Sequence, residues 1–359
     1  MPMVQMKILD RYIGHAVIAA TLTVMFVLLA IFLFFTFIDE LEEIGRGSYD
    51  LGQACMVVLL RAPGLAYELF PIAALVGSLL GLGSMMETNE ISVVRCAGVS
   101  KLRIIWSVMK AGLFFAVIAV IIGELIFPPA ERYAREFRSS AIDGRITQRS
   151  EKGFWTRDGN SYINIREVLP NDQFRDINIY EYDSDNRLRT ATHAESAHYQ
   201  RGRWELQNIR QTSFKEVAIE SRHIEQAIWD SLLDPDLIGM VAINPDSLSL
   251  IDLIRYVSFI RDSGQSSQRY EHALWVKMGY PMATAVMVFL AIPLVLGGSR
   301  SVSIGRRIMV GALIGLSFHL LNQASGHLGI VFSTPAVVSA MGPTLAVFTI
   351  GIILNYRAL

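Results

Sequence analysis

A chain of 359 residues has room for two or three soluble domains, yet 52% of it is hydrophobic and only 18% charged, against about a quarter charged in ordinary soluble proteins. Its 32 Lys/Arg and 33 Asp/Glu leave a net charge of −1, which excludes the cationic footprint of a nucleic-acid binder. The charges cluster, with 19 of the Lys/Arg and 23 of the Asp/Glu lying between Pro128 and Val276; membrane segments flanking a water-soluble insert are expected, not a soluble enzyme or a disordered chain.

A helix needs about 20 mostly apolar residues to cross a bilayer. Tyr12 to Ile38 supplies them without a formal charge. The second candidate runs from about Ala54 to Gly83. The third runs from Arg103 to Phe127, where Pro128-Pro129 is expected to stop the helix. After the insert, Met278 to Ser299 is uncharged, and Ile308 to Tyr356 is long enough to cross twice, with a break near Ser333-Thr334-Pro335. The expected fold is therefore a polytopic α-helical membrane protein of six transmembrane helices in a 3+3 arrangement. Residues 1–127 carry the first three helices, 128–276 an inserted all-β domain of jelly-roll-like type with flanking helices, and 277–359 the last three. The first span is too long, and its flank too acidic, for a cleaved signal peptide.

Short-loop cations set orientation. One side of the membrane would hold Lys7, Arg11, Arg95, Lys101, Arg103, Arg300, Arg306, Arg307 and Arg357, and the other only Arg46. That balance puts the termini in the cytoplasm and the polar insert outside. Cys55 and Cys96 then lie at opposite faces, which argues against an internal disulfide.

Within the insert, period-two runs such as Ser161 to Ile165, Ile177 to Tyr182 and Phe214 to Ile219 predict strands. Asp158-Gly159-Asn160, Asp183 to Asn186 and Arg201-Gly202 mark turns. Short, evenly spaced strands predict a β-sandwich or jelly roll. A helix carrying Leu250, Leu253, Ile254, Val257 and Ile260 follows, capped by Asp246 or Ser247 and ended by Ser263-Gly264. No metal-ligand spacing occurs in this insert, so a binding or assembly surface is expected of it.

No lysine sits in a Gly-Lys-Ser/Thr phosphate loop, so a partner must supply any ATP-driven motor. The segment Glu87 to Ser100 offers it a seat: a short amphipathic helix with Glu87, Glu90 and Arg95 on its polar side, Ile91, Val94 and Val93 as apolar residues, and Gly98 as a stop. The bland reading is a solvated connecting helix.

The run Glu90 to Ser100 (Glu-Ile-Ser-Val-Val-Arg-Cys-Ala-Gly-Val-Ser), the opening Arg11 to Gly14 (Arg-Tyr-Ile-Gly), Gly47-Ser48-Tyr49-Asp50, the Gly-rich Pro71 to Gly83 and Arg300 to Gly305 together resemble the LptF/LptG permeases of lipopolysaccharide export, the G-type branch more than the F-type. The resemblance covers essentially the whole chain. It implies a non-catalytic half-transporter in a Gram-negative inner membrane. The implied partners are an F-type permease (LptF), a cytoplasmic ATPase dimer (LptB) that binds ATP and Mg, the single-span LptC, and lipopolysaccharide. The pair would take lipopolysaccharide from the outer leaflet and pass it to a periplasmic bridge. The resemblance also places Glu90 in the helix that docks on the ATPase, with Glu87, Arg95 and Gly98 around it.

Arg132, Arg135 and Arg138 recur at helical spacing just outside the third span, where guanidiniums match phosphate geometry. They either touch the phosphorylated headgroup, as the resemblance implies for Arg135 and Arg138, or pair with Glu131 and Glu136. Arg61, on one helical face with Glu68, snorkels to the interface or joins the headgroup contacts at the cavity rim. The acidic run Asp39, Glu40, Glu42 and Glu43 departs from the family pattern; a divalent bridge, a basic partner or plain solvation would account for it. Gly77, Gly81, Gly83, Gly311 and Gly315 are expected to let helices approach closely. Phe34, Phe37, Phe70, Leu75, Val286, Leu290 and Leu321 are candidates for the wall of an acyl-chain cavity, although any of them could face lipid. The rival reading is a membrane sensor whose outer domain binds a ligand and signals through the Glu90 segment, with no substrate crossing.

Overall fold

The computed structural model describes residues 2–143, 148–158, 160–169, 173–183, 185, 187–200, 203–214, 218–229, 245–262, 267–297 and 303–358. Gly159, Ser184, Asn186, Arg201-Gly202, Lys215 to Val217, Ser263-Gly264 and Arg300 to Val302 lie outside the described residues. The helices are α1 (Pro2–Leu41), α2 (Leu51–Glu87), α3 (Glu90–Cys96), α4 (Lys101–Ile121), α5 (Phe127–Asp143), α6 (Leu250–Asp262), α7 (Gln268–Leu296), α8 (Ile304–Val331) and α9 (Ala336–Ala358). The strands are β1 (Gln148–Asp158), β2 (Ser161–Leu169), β3 (Gln173–Tyr182), β4 (Leu188–Gln200), β5 (Arg203–Phe214) and β6 (Ile219–Trp229).

Six helical stretches are long and apolar enough to cross a membrane: Ile8–Leu41, Leu51–Glu87, Lys101–Ile142, Gln268–Leu296, Ile304–Val331 and Ala336–Arg357. The expected break between the last two is real, with Ser333 at φ 50° ahead of Pro335. Pro128-Pro129, however, does not end the third helix. A π-helical segment, Ile122–Ile126, joins α4 to α5. In its widened register Phe127 N–H donates to Ile122 O, five residues back, and the helix continues through both prolines.

The chain divides into two compact units. One comprises Met1–Glu42, Val58–Arg132 and Gln268–Leu359; the other comprises Glu43–Val57 and Tyr133–Ser267. In the first unit a continuous apolar cluster joins α1 (Ile13, Val17), α2 (Leu69, Leu75, Leu79), α3 (Ile91), α4 (Ile104, Val108, Phe115), α7 (Met287, Val288, Leu290) and α8 (Phe318). The small-residue spacing permits that packing. A Cβ on Gly77 would lie 2.3 Å from Thr21 Cα, one on Gly81 2.8 Å from Ala16 O, and one on Gly315 2.9 Å from Ile72 Cγ2. The second span is the most buried of the six and the first the least.

In the second unit the six strands form one antiparallel sheet in the order β1-β2-β3-β4-β5-β6. The inserted all-β domain is therefore present, and its described strands run as an antiparallel meander. Short connections pair each strand with its sequence neighbour, and alternation reports which face is buried without reporting strand order. A row of apolar residues, Ile165, Ile177, Ala194, Ile209 and Ile224, crosses five strands in register. A second row, Phe174, Ala197, Leu206 and Ala227, lies on the same buried face. The alternation slips by one between the rows at Asp176 (φ 53°) and Asn208 (φ 50°), so both halves turn apolar side chains inward.

Of the run Phe214 to Ile219 the structure describes the ends: Phe214 closes β5 and pairs with Ile219, which opens β6. One local expectation fails in this unit. The cap of α6 is Ser249, whose Oγ accepts from Asp252 N at 3.1 Å, rather than Asp246 or Ser247, which sit in a preceding 3₁₀ turn. Leu253, Val257 and Ile260 are buried as the spacing requires, Ile254 is exposed, and Phe259 packs against the sheet's apolar face.

Candidate functional site

Two groups of ionised side chains involve the residues around the start and the end of α2. The segment before α2 is shaped by Gly47-Ser48-Tyr49-Asp50. Gly47 (φ +60°) lies so close to the end of α5 that a Cβ would stand 2.2 Å from Ile142 O. Ser48 donates from both N–H and Oγ to Ala141 O, satisfying a carbonyl at the helix terminus, and Tyr49 is buried. Asp50 Oδ1 accepts from Gln53 N at 2.8 Å while Gln53 Oε1 accepts from Asp50 N at 3.1 Å, a reciprocal cap that starts α2.

In the unit containing this loop, Glu43 receives Arg46 Nη1 at 2.6 Å and Arg138 Nη2 at 3.2 Å, and Arg135 Nη2 donates to Ser247 Oγ. Arg138 thus pairs with Glu43, and Arg135 donates to the hydroxyl of Ser247. In the membrane unit, Arg61 Nη1 lies 3.3 Å from Oε2 of Glu40, whose side chain is 3% exposed. Arg61 therefore pairs with Glu40, while Glu68 is exposed. Two members of the acidic run thus serve as internal counter-charges. Arg132 is exposed on α5.

After α2 the chain turns through Asn89 at φ 61°, a conformation asparagine tolerates, into the seven residues of α3. Gly98 (φ +89°) stops it, its N–H donating to Arg95 O at 3.0 Å. Ile91 is buried in the membrane unit's core, Val93 is exposed, and Arg95 is exposed in the last turn. Glu90 accepts from Tyr12 Oη at Oε2 and from Thr88 Oγ1 at Oε1, both at 2.9 Å. Glu87 Oε1 accepts from Arg307 Nη1 at 2.9 Å. Arg307 is almost fully buried because Gly83 leaves room for it: a Cβ there would stand 2.5 Å from Nη1.

The apolar candidates divide by burial. Phe70, Leu75 and Leu290 lie in the core of this chain, packing helix on helix, while Phe34 and Leu321 are exposed and Phe37 and Val286 half-buried. A single sequence carries the period of a helix but not which neighbour covers each face.

Sequence reasoning passed over a buried ion pair. Lys277 Nζ lies 3.3 Å from Glu124 Oε1, with the lysine side chain 5% exposed. Tyr67, stacked on Tyr280 at 4.8 Å, donates to Lys277 O. A lone lysine at the head of the fourth span and a lone glutamate late in the third were the available signal. A second, more exposed cluster joins Asp10 to Arg103, Ser107 and Lys110.

Comparison with known proteins adds an independent finding. The family model described as lipopolysaccharide export system permease LptF/LptG matches residues 11–357. The chain is 33% identical over 340 residues to the lipopolysaccharide export system permease protein LptG of Haemophilus influenzae, covering 94% of this chain and 95% of that protein. It is 32% identical over 353 residues to the LptG of Escherichia coli K12, covering 98% of each. Similarity to the LptF of Escherichia coli K12 is 22% over 171 residues.

Proposed function

The chain belongs to the LptF/LptG family of lipopolysaccharide export system permeases, and from that premise we propose that it is the G-type half of an ATP-driven exporter that lifts lipopolysaccharide from the outer leaflet of the inner membrane and passes it to a periplasmic bridge. It is a multi-pass inner-membrane permease subunit, not an enzyme. The carrying observation is the near full-length match to LptG proteins, which spans the six apolar helices and the inserted sheet alike.

The partners in this reading are an F-type permease, a cytoplasmic ATPase dimer of LptB type that binds ATP and Mg, and a single-span LptC. The excess of short-loop cations on one side supports cytoplasmic termini and a periplasmic sheet domain. The α3 segment then faces the motor. Glu90 is presented from a half-buried position, and Val93 and Arg95 of the same helix are exposed. A short helix stopped by Gly98 and anchored by Ile91 moves as a unit, which a docking element requires.

At the other end, Arg132, Arg135, Arg138 and Arg61 are the cations offered to the phosphorylated headgroup. Guanidiniums bind phosphate bidentately, and the internal carboxylates keep Arg61 and Arg138 compensated when no substrate is present. Phe34, Phe37, Val286 and Leu321, which this chain leaves at least partly uncovered, form the acyl-facing wall, with Phe70, Leu75 and Leu290 supporting it from behind. Export follows if ATP-driven closure lowers the cavity's affinity for the amphiphile, since a motor can bias the substrate only through a difference in affinity between two conformations.

The test is to extract the tagged chain from its native membrane in mild detergent and identify what accompanies it. A second permease, an ATPase and bound lipopolysaccharide are expected. A lone chain, under conditions that preserve other ATP-driven transport complexes, would overturn the reading.

A further inference from the structure

The ion pair between Glu87 and Arg307 runs against local helix electrostatics on both sides. Glu87 closes α2, where the helix dipole disfavours an anion, and Arg307 lies in the first turn of α8, where it disfavours a cation. Neither charge is placed to stabilise its own helix, and each compensates the other at 2.9 Å. The fit is built: Arg307 is 7% exposed, and the missing Cβ of Gly83 makes its passage. The pair ties the end of α2, the most buried span, to the start of the fifth, among the least buried. Three residues along, Glu90 is tied by Tyr12 to the first span, the least buried of all.

We propose that Arg307 is a positioning residue for transport, transmitting movement of the Glu87 to Ser100 segment to the fifth span through its ion pair with Glu87. The inference rests on the reading that a motor engages this segment. A motor that shifts the segment moves Glu87 at the end of the second span and pulls on the sparsely buried fifth span through a short ion pair whose arginine is buried, while the body of the second span, the most buried of the six, stays in place. Gly83 belongs to the same device, because a side chain there would displace the guanidinium from Glu87.

The experiment uses the complete exporter in proteoliposomes and reads lipopolysaccharide released per ATP hydrolysed. Arg307→Glu is expected to lower this ratio roughly tenfold while ATP hydrolysis continues. The swap Arg307→Glu with Glu87→Arg should recover about half or more of the lost ratio. A role confined to folding would reduce the amount of assembled exporter and leave the ratio of the remainder unchanged. Should Arg307→Glu fail to assemble, Gly83→Ala serves instead, with a smaller fall expected in the same direction. A normal ratio in Arg307→Glu or, where that variant does not assemble, in Gly83→Ala, or an assembled swap no better than the single variant, overturns the proposal. Glu90→Ala separates the two levels: if it too exports normally, the motor does not use this segment and the underlying reading fails; if it uncouples while Arg307→Glu is normal, only the link to the fifth span falls.

Discussion

Glu40 and Glu43, before α2, and Glu87 and Glu90, at and beyond its end, each face a cation or a hydroxyl donor from elsewhere in the chain, yet the two groups serve opposite partners in the proposed mechanism. In the first group the arginines are proposed as the groups offered outward, and the carboxylates of Glu40 and Glu43 pair with Arg61 and Arg138. In the second the carboxylates are offered, and Arg307 and Tyr12 hold them. An ion pair by itself does not say which member acts; the ligand each end must meet decides it, a phosphorylated headgroup on one side and a motor protein on the other.

Substitutions that remove one member of each pair sharpen or break this comparison. The largest effect is expected from Glu90→Ala, which should insert and pair normally yet lower lipopolysaccharide release from the reconstituted exporter by roughly tenfold or more; wild-type release would show that the segment after α2 is a plain connector. Next comes Arg135→Ala with Arg138→Ala, for which lipopolysaccharide co-purifying with the complex should fall by about tenfold. Retention of full lipopolysaccharide with the ATPase still bound would move the headgroup contact to Arg132 or Arg61.

Glu40→Ala is a stability experiment. It takes from Arg61 a carboxylate partner that is itself only 3% exposed, and a loss of about 1–2 kcal/mol is expected, read as a lower thermal midpoint in detergent. An unchanged midpoint would mean that Arg61 reaches solvent or headgroups unaided. The smallest change belongs to Glu43→Gln, which keeps an acceptor for Arg138 and removes only charge, so export should stay within about twofold. A loss as deep as that of the arginine pair would make the carboxylate itself a participant, as a divalent bridge to phosphate requires.

Much of this molecule was legible in its sequence, because what the bilayer demands is local. A backbone in hydrocarbon must satisfy its own hydrogen bonds, so about 20 apolar residues force a helix, and the six spans, the break before Pro335, the inserted β domain and the Gly98 stop all followed. The small-residue spacing of α2 was legible for the same reason, since close approach needs missing side chains along one helical face. The tertiary structure alone decided the rest. Arg307 finds Glu87 across 220 positions and Tyr12 finds Glu90 across 78, separations that no periodicity records. Whether Phe70 or Phe34 meets a neighbour, how the π segment carries the chain past Pro128-Pro129, and that the strands order as a meander depend on which surfaces come together. Hydrophobic pattern says that a face must be covered; packing decides by what.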